Sequence, residues 1–333
     1  MKNKKIIHIS VIFALALTAF AIAFAMISKI NSLEHENVAK QFSTGEKYSQ
    51  ITLCIPESAE FTLDKVMYFR YKLDKKLTEE SMESDKARLY VDAYSAFKDM
   101  RLDSDSFRSA NVKAAFVGGD YKLFHKEFEY APDFTIDINH DRILLSRTAA
   151  WQLYGGTNLY DFRAVSQHKT TYISGVYDDY TDADYVKLYE NKPSCLADIQ
   201  QNPKTNITCY ELLVVNPVKD FAKNMVVECI DLDKETYLLV ENSSRFSFMN
   251  LLKKIPTLIQ ADIPLPTGVN ITPEEIAARR AEKELAAMLA VLLVFALYPA
   301  LWIIILIFRL IRLVKRLFNK YVVSKIKDKL SYA

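Results

Sequence analysis

The sequence predicts an α+β fold of ferredoxin-like pattern with an insertion, flanked by two transmembrane helices. Three observations predict it: two long apolar runs near the ends, a strand–helix–strand periodicity on either side of a central block, and a change of charge sign between the ends and the middle. The first run, Ile6–Ile27, is 22 residues interrupted only by His8, Ser10 and Thr18. The second, Leu285–Phe308, is 24 residues without a charge. A helix of ~20 apolar residues spans the ~30 Å hydrocarbon core of a bilayer, so each run is long enough to cross it.

Basic residues stay on the cytoplasmic side of a membrane. Lys2, Lys4 and Lys5 precede the first run, and Arg309, Arg312, Lys315, Arg316, Lys320, Lys325, Lys327 and Lys329 follow the second against one acid, Asp328. Residues 1–5 and 309–333 are therefore expected in the cytoplasm and 28–272 outside the cell. The stretch between residues 30 and 272 holds 28 Lys+Arg and 36 Asp+Glu, a net −8 hidden by the overall +2. An acidic exported part argues against nucleic acid as a partner. Ala23-Phe24-Ala25 also has the small-residue pattern of a signal-peptidase site, so the first run reads either as a retained anchor or as a cleaved signal.

Residues 28–47 read as a polar connector. Ser49–Ile55 alternates, with Ile51, Leu53 and Ile55 on one face, and reads as a strand. Phe61–Leu77 repeats Val66, Met67, Phe69, Leu73 and Leu77 at helical spacing. Arg88–Ala96 and Asn111–Val117 read as strands, as does Thr208–Val215, apolar through its second half. Pro217–Ile230 reads as a helix with Phe221, Met225, Val226 and Cys229 on one side, and Glu235–Val240 as a last strand. The order is ferredoxin-like with an insertion over about 119–206. Inside the insertion, short strands are expected at Ile143–Ser146 and Thr171–Gly175. A short helix is expected over Arg147–Tyr154, capped by Gly155, with Trp151 anchoring the inserted part. Thr272-Pro273-Glu274-Glu275 is a helix start, with Thr as cap, Pro at the first position and Glu275 completing a capping box. The helix is expected to run on through the second span, past Pro299, coupling domain to membrane. Beyond it Leu310, Leu313, Val314, Leu317, Phe318 and Tyr321 form an apolar stripe among basic residues. This is a surface-lying helix on acidic lipid or a contact for a cytoplasmic partner through Leu313, Leu317 and Tyr321.

Chemistry-bearing motifs are sparse. There is no P-loop, no His-Glu-x-x-His and no Gly-x-Ser-x-Gly. The five histidines show no ligand spacing, and Asp120 near His125 reads as structural. Asp137–Asp141 begins like a calcium loop, but Arg142 stands where the turn needs Gly and Thr148 where a bidentate Glu is required. Asp178, Asp179, Asp182 and Asp184 among Tyr177, Tyr180 and Tyr185 read as a solvated loop rather than a cation site. No catalytic residue, metal or cofactor is expected, and no enzyme. The four cysteines fall in the exported part, where an even count permits disulfides; Cys195 and Cys209 are the best candidates for a small bridge, against a reading of buried free thiols.

One stretch carries a family signal. Ile143-Leu144-Leu145-Ser146, then Thr148-Ala149-Ala150 and Leu153-Tyr154-Gly155-Gly156, then Ile173-Ser174-Gly175-Val176, resembles the core domain of MacB-like ABC transporter permeases. Val117-Gly118-Gly119-Asp120-Tyr121 resembles the entry to that region in Gram-positive versions. The resemblance covers roughly 45–245. It implies a porter-type ferredoxin-like subdomain with a small inserted β-rich subdomain. It further implies a permease-like or accessory subunit of an ABC transporter complex, transmitting conformational change, with a separate ATPase or permease subunit and membrane lipid as partners. Leu159-Tyr160-Asp161-Phe162 departs from the family's usual glycine after the turn. The family commonly continues with three spans where residues 285–333 offer one span and a tail, so the resemblance is expected to bear on fold more than on transport. The alternative is an extracellular sensor or binding module signalling through its spans.

Overall fold

A computed structural model describes residues 2–42, 47–80, 88–134, 141–166, 169–260 and 265–318. Along the chain these form helix α1 (Lys2–Ser32), short helix α2 (Val38–Phe42), strand β1 (Tyr48–Cys54), α3 (Leu63–Glu79), β2 (Tyr90–Ser104), β3 (Ser109–Gly119), α4 (Tyr121–Phe124), β4 (Asp141–Ser146) and α5 (Arg147–Tyr154). There follow β5 (Arg163–Ser166), β6 (Lys169–Tyr177), α6 (Ala183–Leu188), β7 (Ser194–Asp198), β8 (Cys209–Val215), α7 (Phe221–Cys229), β9 (Leu238–Glu241), α8 (Phe248–Lys254) and α9 (Pro273–Phe318).

The chain forms two compact units. In the first, α1, α8 and α9 from Glu282 onward come together. Ile7–Ser32 and Pro273–Arg316 are helices long and apolar enough to cross a membrane. The polar His8 within α1 is met by the Tyr298 hydroxyl at 3.0 Å and by the Trp302 ring, centroids 4.9 Å apart. Lys29 pairs with Glu284, and Lys254 with Glu282 at 3.6 Å.

The second unit, Leu33–Ser247 with Gln260–Ala281, holds the α+β core. Strands β9, β1, β8 and β2 lie side by side in that order, every neighbouring pair antiparallel. With α3 between β1 and β2 and α7 between β8 and β9, this is the ferredoxin-like split βαβ arrangement. Cross-strand partners share a face, so Ile51, Leu53, Asp92, Tyr94, Tyr210 and Leu212 line one side. The helices cover that side. Val66, Phe69, Leu73 and Leu77 of α3 and Ala222, Met225, Val226 and Cys229 of α7 are buried at helical spacing. Each large apolar side chain so buried contributes roughly 1.5–3 kcal/mol. Arg70 of α3 forks onto Asp92 with two 2.7 Å bonds, and the buried Tyr210 hydroxyl donates to the same carboxylate.

Between β2 and β8 the chain builds a second structure on a shared strand. β2 is 15 residues long. Its first half pairs with β8, nearly its whole length pairs with β3, and its end pairs with β5. The ring β2-β3-β7-β4-β6-β5 returns to β2, a small closed barrel in which β3–β7 and β4–β6 are parallel. Closure removes exposed sheet edges. Helix α5 packs on it, its Ser146 side chain accepting from the Ala149 amide and Gly155 closing it at φ 71°.

Several local readings need correction. Trp151 does not anchor the barrel; it is 56% exposed. Ala149, Ala150 and Leu153 form the buried face of α5, and at ~100° per residue Trp151 points roughly opposite to them. Residues 33–42 are not a solvated connector, because Glu36, Asn37, Val38 and Ala39 are buried. β1 is buried on both faces rather than alternating. No strand is expected from sequence over Ser194–Asp198, yet β7 lies there and is entirely buried. Cys195 and Cys209 are not bridged: Cys195 lies opposite Ala114 of β3, Cys209 opposite Ser95 of β2, and β3 and β2 stand between their strands. Three strand spacings of ~4.8 Å put them about 14 Å apart, beyond disulfide reach. All four cysteines are buried free thiols, and burial pushes those of Cys54 and Cys195 up to about 12. Such thiols are unreactive.

The packing predicts opposite outcomes for two neighbours on α5. Leu153→Ala removes a fully buried side chain and should cost about 2–5 kcal/mol. Trp151→Ala should cost less than about 1 kcal/mol. Denaturant unfolding of the full chain in detergent, followed by circular dichroism, separates them; a larger loss for Trp151→Ala would overturn the assigned face.

Candidate functional site

The face of the core sheet turned away from α3 and α7 is polar yet covered. Gln50, Thr52 and Cys54 of β1, Cys209 and Glu211 of β8, and Ser95 of β2 point to it. Polar groups out of water need partners, and three segments supply them. From the stretch after α1, the His35 carbonyl accepts from Gln50 Nε2 at 2.7 Å, and His35 Nε2 meets Glu211 Oε1 at 2.5 Å. From the turn after α4, His125 Nε2 meets the other oxygen, Glu211 Oε2, at 2.8 Å. From the loop after β9, Asn242 Nδ2 donates to Thr52 Oγ1 at 3.0 Å, and Ser243 Oγ accepts from the Gln50 amide at 2.7 Å.

One carboxylate is thus held between two imidazoles, whose ring centroids are 5.5 Å apart. Tyr121 stacks on His125, centroids 4.0 Å apart. The Nδ1 sides face further acids: His35 is 3.8 Å from Glu36, and His125 is 3.6 Å from Glu127 and 3.5 Å from Glu274. Tyr185 donates to Glu274. Burial alone would lower the histidine pKa values, but the Glu211 charge and hydrogen bonds to Glu127 and Glu211 outweigh it and lift His125 to about 10. His35 is raised for the same reason, with Glu36 adding to Glu211. Burial pushes Glu211 up, and the two histidines more than reverse this, holding it well below the usual carboxylate range. A cavity of about 310 Å³ opens on the cluster, its wall including His35, His125, Glu127 and Glu274.

A second ion network adjoins the first. Buried Arg245 forks onto Glu275 at 2.6 and 3.0 Å and lies 3.9 Å from Glu36. Arg279 adds a 2.6 Å bond to Glu275. The start of α9 is capped as expected, the Thr272 hydroxyl accepting from the Glu275 amide at 3.3 Å. Glu275 does not complete a capping box, because its carboxylate is committed to the two arginines. The residues after α1 and the first turns of α9 therefore meet on one face of the sheet, held by buried charge.

The residues singled out from sequence fall elsewhere. Asp120 pairs with Arg88 at 2.8 Å and not with His125. The acidic cluster is used internally: Asp178 pairs with Arg147, Asp179 accepts from the Thr148 amide and hydroxyl, Asp182 caps α6, and Asp184 pairs with Arg280. Residues 137–140 of the calcium-like stretch and Tyr321 lie outside the described residues. Leu313 is an exposed residue of α9, and Leu317 belongs to the same helix. His35 and His125 stand 176 and 86 residues from Glu211, so no local spacing reveals the cluster. The one signal was Glu211 itself, a charge inside the apolar strand Cys209–Val215.

No protein-family model and no curated protein matches the sequence. Among solved structures, the chain is similar to the extracellular domain of the noncanonic ABC-type transporter YknZ from Gram-positive bacteria. That match has 14% identity and TM-score 0.35, and covers 57% of this chain and 99% of that domain. It is also similar to the periplasmic region of MacB from Actinobacillus actinomycetemcomitans. Here the identity is 8% and the TM-score 0.38, over 65% of this chain and 94% of that one. Both scores lie below 0.5.

Removing one partner of a buried ion pair costs about 3–5 kcal/mol, because the other charge is left without compensation. Arg245→Met should destabilise the α+β unit by that amount, and the double variant Arg245→Met/Glu275→Leu should recover much of it. Chemical unfolding of the three proteins checks this; a single variant within about 0.5 kcal/mol of the parent would show that the network carries no weight.

Proposed function

We propose that this chain is a membrane-anchored, permease-like or accessory subunit of an ABC transporter complex. Its exported domain passes conformational change to two membrane spans through the buried junction on the polar sheet face. The carrying observation is that junction. The segment following α1 reaches Glu211 of β8 through His35, and the opening turns of α9 reach Arg245 in the loop after β9 through Glu275, both by ion pairs withdrawn from water. A displacement of either segment must break one of them, so neither moves independently of the sheet. The resemblance of residues 141–158 and 173–176 to MacB-like permeases supports the same reading, as do two helices of membrane-crossing length. In this account both termini are cytoplasmic, the reaction coupled to motion is ATP hydrolysis by a separate subunit, and the chain has no catalytic residue of its own.

The basic helix beyond the second span is the handle on which such a subunit acts. Purification from the native host in mild detergent, with crosslinking, should recover an ABC ATPase or permease subunit. Replacing Leu313, Leu317 and Tyr321 with Ser should abolish that recovery while leaving the exported unit folded. Recovery of no such subunit from the parent chain, or undiminished recovery with the triple variant, would overturn the proposal and favour a stand-alone sensor.

A further inference from the structure

We propose that His35, His125 and Glu211 form a binding site for a zinc-type divalent transition-metal ion, ligated by the two Nε2 atoms and the carboxylate. The three ligand atoms lie within 4.8 Å of one another. Zinc takes imidazole nitrogen and carboxylate oxygen at ~2.0–2.2 Å, which separates neighbouring ligands of a tetrahedral site by about 3.4 Å. Shifts of an ångström or so, with the Glu211 carboxylate turning to offer one oxygen, complete the geometry.

The surroundings are those of a metal site. Ligating histidines characteristically direct their other ring nitrogen at a carboxylate, which fixes the tautomer and strengthens the ligand. His125 Nδ1 faces Glu127 and Glu274 at 3.6 and 3.5 Å, and His35 Nδ1 faces Glu36 at the longer distance of 3.8 Å. Glu36, with its side chain 4% exposed, keeps one oxygen without a hydrogen-bond partner among the described residues, and His35 Nδ1 is in the same condition. The adjoining cavity supplies an entry path and room for a water in the fourth position. Its wall carries Glu34, Glu127 and Glu274 against Lys126, and an incoming cation would replace the protons that His35 and His125 hold there.

Two imidazoles exclude calcium and magnesium, which take oxygen ligands. A second arrangement, His125 Nδ1 with Glu127 and Glu274, also falls within 4.8 Å. It offers one imidazole instead of two and would remove the carboxylates that orient His125, so the ion is assigned to the first. The ligands come from the segment after α1, the turn after α4 and β8, so the ion would staple the first of these to the sheet. This inference does not depend on an ABC partner.

The test uses the full chain in detergent, stripped with a chelator and titrated with Zn²⁺ at mildly alkaline pH against a chromophoric competitor. The expected result is one Zn²⁺ per chain, a rise in unfolding temperature on binding, and the visible absorption of a four-coordinate site when Co²⁺ replaces Zn²⁺. His35→Ala, whose side chain is partly exposed, should keep the fold and weaken binding at least ~100-fold. Glu127→Gln should weaken it about 10–100-fold, and His8→Ala should leave it unchanged. Less than one Zn²⁺ bound by the parent chain, or parental affinity in His35→Ala, would overturn the assignment.

Discussion

Glu211 sits in the middle of β8 with its carboxylate out of water, and two histidines from distant parts of the chain converge on it. An isolated carboxylate in such a place is expensive enough to prevent folding as drawn. His35 and His125 together satisfy the two oxygens of that carboxylate, and His125, the more deeply buried, pairs with it independently of His35. His125 is placed by α4 and by stacking on Tyr121. His35 is placed by its own carbonyl, which receives the Gln50 side chain. The two contacts of His35 draw the stretch after α1 down onto the sheet.

The opposite end of the domain chain arrives at the same place by a different charge. Arg245, rising from the loop after β9, holds Glu275 at the start of α9 and approaches Glu36 beside His35. Two entry segments, the β9 loop and two core strands thus share one buried polar layer. The helix-covered face, with Phe69, Leu73 and Tyr210, is filled by buried apolar and aromatic side chains. The polar face supplies the connection.

Much of the fold was legible because it depends on local chemistry. The 3.6-residue spacing of Val66, Phe69, Leu73 and Leu77 specified α3, Ser146 and Gly155 bounded α5, and Thr272-Pro273 opened α9. The site was not legible because it is made by topology. Gln50 and Thr52 look like the solvent side of an alternating strand, and only the packed segment after α1 reveals that side as buried. Likewise β7 is only five residues long, and its pairing with β3 and β4 lies outside its own sequence. Trp151 misled for a simpler reason: its size suggested the core, while the phase set by Ala149, Ala150 and Leu153 put it in water.

The central claim is that the buried polar layer around Glu211 ties both entry segments to the core. Hydrogen–deuterium exchange on the full-length chain in detergent, comparing parent with Glu211→Leu, tests it directly. The account predicts that amides in residues 33–42 and 273–281 lose protection together, while those of α3 and α7 keep theirs. Unchanged protection in both segments, or loss in one alone, would contradict it.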